Sequence, residues 1–308
     1  MPLPRVLIPV LALLAVPVGN AVPAVTPAAT PAATLPPPAD TTPSTFARFV
    51  PERADDFAWE NDLVAFRTYG PKLRGSGVTS GIDCWLKRVH TPIIDKWYAQ
   101  EKRGMSYHQD HGEGHDPYHV GPSRGCGGLA LWINDALVTS DTYLAWRIVE
   151  RTRERSVFEL DYAYPAQPGE APIAETKRIT IRLGEPMFRV ESRFTRGGQP
   201  VADLPIAIGV STQNGRGRAI TNAGRRWIAV WDKIDGFGLG TGAILAPGFP
   251  AETREIKSAQ KDTSHALLIT RTNKAGVVAY AAGYGWEKAG AIRTPDQWTA
   301  ALDGLAFP

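Results

Sequence analysis

The sequence predicts a mainly β protein, a large antiparallel β-sandwich with minor helices. Three observations lead there. Arg178 to Leu183 and Phe188 to Phe194 alternate strictly between apolar and polar side chains. A period of two puts successive side chains on opposite faces, as in a strand with one buried face. Glycine-containing turns such as Arg196-Gly197-Gly198 and Asn273-Lys274-Ala275-Gly276 separate many of these runs. Helical periodicity, by contrast, is scarce, and alternation with frequent turns is the pattern of an antiparallel sandwich.

Taken in order, the chain opens with Arg5 and an apolar run from Val6 to Val18, followed by the small residues of Gly19-Asn20-Ala21. This predicts a secretory signal over residues 1–21 and a periplasmic or secreted mature protein. The run is too short to cross a bilayer, and Pro9 and Pro17 weaken it further, so no transmembrane segment is expected in the mature protein. Residues 22–44 are almost entirely Ala, Pro, Thr and Val and read as a disordered or polyproline-like linker. Residues 45–308 are expected to form a single β-sandwich domain. Within it, Val157 to Tyr164, Leu204 to Val210, Trp227 to Trp231 and Ala266 to Thr270 read as strands, and Val277 to Trp286 as a strand buried on both faces. Asp95 to Lys102 reads as a two-turn helix. Thr294-Pro295 reads as the capped start of a second, running to Leu305.

The net charge is +3 with basic residues scattered among acids, which argues against nucleic-acid binding, since that needs a concentrated basic stripe. Cys84 and Cys126 are the two cysteines. They form either one disulfide across a long loop or two buried thiols, and spacing does not choose between these.

Chemistry concentrates in one segment. Four of the six histidines fall between Tyr107 and His119, interleaved with Asp110, Glu113, Asp116 and Tyr118, and the segment runs into Ser123-Arg124-Gly125-Cys126-Gly127-Gly128. A stretch this polar is not expected in the core. Three readings compete: a solvated histidine-rich loop, a metal site, and a metal-independent catalytic or sugar-binding site. For a divalent metal such as Ca²⁺ or Zn²⁺, the donors are His108, Asp110, His111 and His115, at no specific spacing. The third reading is favoured, because imidazole, phenol and carboxyl groups are proton-transfer groups. The catalytic candidates are Tyr107, His108, Asp110, His111, Glu113 and Asp116. Arg124 or Lys87 can hold a substrate carboxylate. Tyr118, Asp83, Trp85 and Trp59 complete the substrate-binding candidates, the tryptophans by stacking on sugar faces.

Glu52-Arg53-Ala54-Asp55-Asp56-Phe57-Ala58-Trp59-Glu60-Asn61-Asp62, Ser80-Gly81-Ile82-Asp83-Cys84-Trp85, Tyr107-x-x-Asp110-His111-Gly112-Glu113-Gly114-x-Asp116-x-Tyr118 and Gly121-x-Ser123-Arg124-Gly125-Cys126-Gly127-Gly128 together resemble domain-of-unknown-function family 4861. The resemblance covers nearly all of Phe49 to Phe307. It implies an exported bacterial protein in the setting of plant-polysaccharide breakdown, especially of pectin-type, uronate-containing chains. It also suggests a galactose-mutarotase-like supersandwich. The expected function is a carbohydrate-active enzyme on such saccharides, a lyase ahead of a glycoside hydrolase, with epimerase or mutarotase chemistry third. The alternative is a non-catalytic periplasmic carbohydrate-binding protein. Density of titratable groups favours the enzyme.

Overall fold

The computed structural model describes residues 42–166 and 169–307. The expected signal over residues 1–21 and nearly all of the expected linker over residues 22–44 lie outside the described residues. The fold is an antiparallel sandwich with minor helices, as the alternation predicts. One layer is a nine-stranded sheet running from the edge strand Arg218–Asn222 to the edge strand Ala145–Arg151. Two five-stranded sheets face it. The first joins β1 (Phe46–Val50), β2 (Asp56–Glu60), β3 (Ala65–Thr68), β4 (Ile82–Lys87) and the short β5 (Gly114–His115). The second includes β6 (Cys126–Ile133), and an isolated parallel bridge between Ile82 and Gly125 ties the two together.

Register explains the packing. In β2, β3 and β4, Trp59 pairs with Phe66 and Phe66 with Cys84, so these side chains share one face. That face meets the nine-stranded sheet, where Trp59 and Phe66 contact Phe188 edge-on at 5.5 and 4.8 Å. Contacts of this kind add to the area burial that drives the fold. The strand Ile173–Arg182 alternates as expected. Its inward face nevertheless carries Glu175 and Lys177 beside Ile179 and Ile181, with Glu175 held by Tyr164 at 2.8 Å and Ser192 at 2.6 Å.

The opposite face of the first sheet carries Asp56, Ala58, Ala65, Arg67, Asp83 and Trp85. It is covered by α1 (Ile94–Glu101) and by the loop running on to β5, through Ile94, Trp97, Tyr98 and Tyr107. Glu60 anchors this cover. Its carboxylate accepts the Ile93 and Ile94 N–H groups at 2.9 Å, satisfying donors that every helix start leaves open. Lys87 Nζ in turn donates to Glu60 at 2.7 Å, the Asn61 carbonyl at 2.8 Å and the Thr91 carbonyl at 2.9 Å. The second helix, α2 (Pro295–Asp303), is capped by Thr294 as predicted, whose hydroxyl accepts from Gln297 N, and covers part of the nine-stranded sheet's other face.

Candidate functional site

Arg67 is the centre of the covered face. It stands directly opposite Asp83 across β3 and β4, so both side chains project to the same side. Arg67 Nη2 donates to Asp83 at 2.6 Å and to Asp116 at 3.0 Å, and Asp56 approaches Nη1 at 3.7 Å. The guanidinium also lies over the rings of Trp85, Tyr69 and Tyr107 at 5.2–5.8 Å. Tyr107 Oη accepts a second Arg67 N–H at 3.2 Å and the Arg53 Nε–H at 3.3 Å. Three carboxylates thus surround one fully buried cation, with Arg53 half-buried at the margin. His108 closes the margin, with Nδ1 2.8 Å from the Asp116 carbonyl oxygen and a side chain 56% exposed.

Electrostatics follow from burial and from this imbalance of charge. Burial pushes the Asp56 carboxyl up to about 6, outweighing Arg67 and the Gly70 N–H. Burial likewise raises Asp83 against the pull of Arg67. For Asp116 burial and the neighbouring Asp83 carboxylate push the same way, and its carboxyl stands well above the usual range. A carboxyl whose folded value is raised binds its proton more readily in the fold than in the unfolded chain. Its stabilising contribution is present below about pH 4, the unfolded value, and is lost as pH rises through the folded value. For Asp56 that window is about pH 4 to 6. An Asp56→Asn chain keeps the acceptor for Gly70 N and cannot ionise. Its melting temperature should therefore rise relative to wild type as buffer pH is raised from 4 to 7. A constant difference across that range would refute the assignment.

The remaining expected residues fall in two groups. Asp110, His111 and Glu113 sit on the rim of the loop, away from Arg67. Burial would raise Asp110, but Lys288 at 2.9 Å, the Gly112 and Gly114 N–H groups and Arg88 outweigh it and hold the carboxyl far below the usual range. Glu113 binds Lys96 at 2.6 Å and the Trp97 indole N–H at 3.2 Å. His111 Nε2 meets the Ser106 carbonyl at 3.0 Å. His115 turns the other way, its Nε2 on Asp235 at 2.8 Å. The expected metal donors His108, Asp110, His111 and His115 are not brought together: each has its own protein partner. Among the described residues no three His, Cys, Asp or Glu side chains gather in a metal-binding group.

Several substrate-binding expectations are corrected too. Arg124 is fully buried, its guanidinium donating to Ser80 Oγ, Thr79 Oγ1 and the Leu129 and Pro122 carbonyls, so no face remains for a ligand. Lys87 is equally enclosed by Glu60. Trp59 is core, and Trp85 is stacked between Trp97 and Tyr107 with no face open to a sugar. Tyr118 is buried in the sandwich core. Cys84 and Cys126 are both free and buried. The idea that the polar segment cannot enter the core is corrected as well, because His115, Asp116, Ser123 and Arg124 are buried, each with at least one polar side-chain atom hydrogen-bonded, while His115 Nδ1 and Arg124 Nε are buried without a partner. Gly114 makes this possible. It holds φ at +119°, and a Cβ there would meet the Leu86 carbonyl oxygen at 1.9 Å, so only glycine lets the loop lie against β4.

Sequence reasoning missed Arg67 and Asp56. The available signal was positional: Arg67 occupies a strand position beside Phe66, where a charge facing inward must find acidic partners on the adjoining strands.

Fold and site together define a β-sandwich protein with a buried carboxylate–guanidinium cluster beneath a loop rich in histidine and acid. The chain belongs to the family described as "Domain of unknown function (DUF4861)", whose model matches residues 28–306. It is 34% identical over 271 residues to "Uncharacterized protein P7" of Formosa agariphila, covering 84% of this chain and 66% of that protein. The match therefore spans just under two thirds of that relative. Among solved structures, a heparinase III gene product aligns at a TM-score of 0.42 and 10% identity, over 84% of this chain and 38% of that one. The galactosidase domain of an α-galactosidase–sucrose kinase aligns at 0.39 and 10% identity, over 78% and 42%. A GH36 α-galactosidase from Geobacillus stearothermophilus aligns at 0.37 and 13% identity, over 75% and 40%. These likenesses are loose and do not identify a reaction.

Proposed function

We propose that the chain is a carbohydrate-active enzyme that cleaves uronate-containing, pectin-type saccharides by β-elimination. The observation that carries the reading is the meeting of His108, Tyr107 and Arg53 at the margin of the Arg67 cluster. His108 Nδ1 faces the Asp116 carbonyl oxygen, an acceptor, so Nδ1 carries the proton and Nε2 keeps its lone pair. Nε2 is then the base that takes the proton from the carbon beside the uronate carboxylate. Arg53 neutralises that carboxylate, which stabilises the charge that develops next to it. The bond from the neighbouring carbon to the glycosidic oxygen breaks, and that oxygen takes a proton from Tyr107, which is buried beneath the loop and is reached when the loop opens, and whose own oxygen already accepts from two guanidinium groups. Asp83, Asp116 and Arg67 hold Tyr107 and the loop in place from behind.

Hydrolysis is the second catalytic reading. Inverting and retaining enzymes hold a sugar between two carboxyl groups. The carboxyl groups expected for that role, Glu113 with Asp110 or Asp116, are each held by a protein cation, Glu113 by Lys96 at 2.6 Å, Asp110 by Lys288 at 2.9 Å and Asp116 by Arg67 at 3.0 Å, which supports the elimination reading over hydrolysis. A binding-only role draws support from the burial of Asp56, Asp83 and Asp116, which leaves just His108 and Arg53 at the surface.

The test is incubation of the purified chain with a panel of uronate oligosaccharides, with and without chelator, following absorbance of the unsaturated uronate. A rise supports elimination. New reducing ends without absorbance would replace it with hydrolysis, and neither signal on any substrate would leave binding as the function.

A further inference from the structure

A second imidazole–carboxylate pair stands apart from Arg67 and takes no part in the chemistry above. His119 Nε2 lies 2.9 Å from Asp262 Oδ2, with the His119 side chain 51% exposed and that of Asp262 9%. Asp262 is fixed from behind, its N–H donating to Asn214 Oδ1 at 2.6 Å and its Oδ1 accepting from Asn214 Nδ2 at 3.4 Å. Gln213 Nε2 donates to the His119 carbonyl at 2.9 Å. Gln213, Asn214 and Asp262 all hold left-handed backbone, with φ of 52°, 61° and 64°. Such backbone is uncommon for residues other than glycine and is retained where the surroundings impose it, often at ligand sites. With Nε2 on the carboxylate, His119 Nδ1 has no protein partner among the described residues.

Asn214 also lines a cavity of about 610 Å³. This groove lies at the open side of the sandwich, between the edge strands Arg218–Asn222 of the nine-stranded sheet and Glu252–Ile256 of the facing sheet. Its lining carries Arg216, Arg218 and Lys257 against one carboxylate, Glu255. Arg216 spends Nε and Nη2 on Asp232, and Lys257 Nζ stays 3.6 Å from Glu255. Arg218 is exposed and makes no ion pair among the described residues. The groove is thus polar, roomy and cationic, and the His119–Asp262 pair is joined to its lining through Asn214.

We propose that this groove is a binding subsite for the acidic sugar residues of a saccharide chain. Arg218 and Lys257 receive a sugar carboxylate, and His119 Nδ1 accepts a hydrogen bond from a sugar hydroxyl. The proposal rests on the saccharide reading above but uses none of its catalytic residues, so the two can fail separately.

Calorimetric titration of the purified chain with trigalacturonate, and with maltotriose as a neutral control, tests it. Trigalacturonate should bind and maltotriose should not. Arg218→Ala/Lys257→Ala, both surface changes, should weaken binding at least tenfold, and His119→Ala should weaken it three- to tenfold. Lys274→Ala, an exposed lysine elsewhere, should bind as wild type does. Equal binding of the neutral sugar, or wild-type affinity in the double variant, would overturn the subsite. Failure of the wild-type chain to bind trigalacturonate would overturn it too. Absorbance assays of elimination would in each case still report on Tyr107 and His108 independently.

Discussion

Arg67→Leu should destabilise the fold by about 3–5 kcal/mol, because removing one partner of a buried ion cluster leaves the others uncompensated. For a chain of this size the thermal midpoint should fall by on the order of 10 °C. Asp83 and Asp116 would each lose their closest cation, the one held at 2.6 Å and the other at 3.0 Å. The measurement is a melting curve at pH 7 beside Arg271→Leu, whose exposed pair with Asp203 should contribute no more than about 1 kcal/mol. A variant that fails to fold is itself rescued in part by adding Asp83→Asn and Asp116→Asn, since the repulsion then disappears. An unchanged midpoint in Arg67→Leu would show that the cluster does not hold the cover to the sheet.

The second large effect concerns turnover. His108→Ala and Tyr107→Phe should each lower the elimination rate by about 10²- to 10⁴-fold, the usual contribution of a positioned proton-transfer group. His108 is exposed, so its loss should leave the melting curve nearly unmoved. Tyr107→Phe keeps the ring stacked on Trp85 at 4.7 Å and removes just the hydroxyl. Retention of full turnover by either variant on a substrate the wild type cleaves would remove that residue from the mechanism. His111→Ala, on the rim with its imidazole at the Ser106 carbonyl, should keep turnover within a fewfold.

The strands were readable because alternation is local. Arg178 to Leu183 and Phe188 to Phe194 need no knowledge of their partners to be placed, and Thr294-Pro295 marks a helix start by its own chemistry. The site was half readable. Tyr107, His108, Asp83 and Asp116 stood out by residue type, and the fold brings them together. Arg67 did not stand out, because one arginine in a four-residue strand looks like an ordinary solvent-facing position until the cover over that face is known. Lys87 and Arg124 misled for the converse reason. Each has the right charge for a substrate carboxylate, yet groups that are remote in sequence, the Glu60 carboxylate for one and the Thr79 and Ser80 hydroxyls for the other, take up its N–H donors inside the protein. Pairings of this kind are properties of register and packing, which composition does not record.

The clasp of Glu60 and Lys87 on the start of α1 has a consequence for motion. It pins one end of the cover at Thr91, Ile93 and Ile94, while residues 101–105, 108 and 109 at the other end are exposed. Any opening that lets a sugar reach Tyr107 must therefore pivot on the clasp and begin at the distal end, as a local unfolding with its own free energy. Amide exchange would register this as a gradient along one short stretch of chain, slow at Trp97 and Tyr98 and fast from Gly104 to Gly112. Substrate that lodges beneath the loop should flatten the gradient from the fast side.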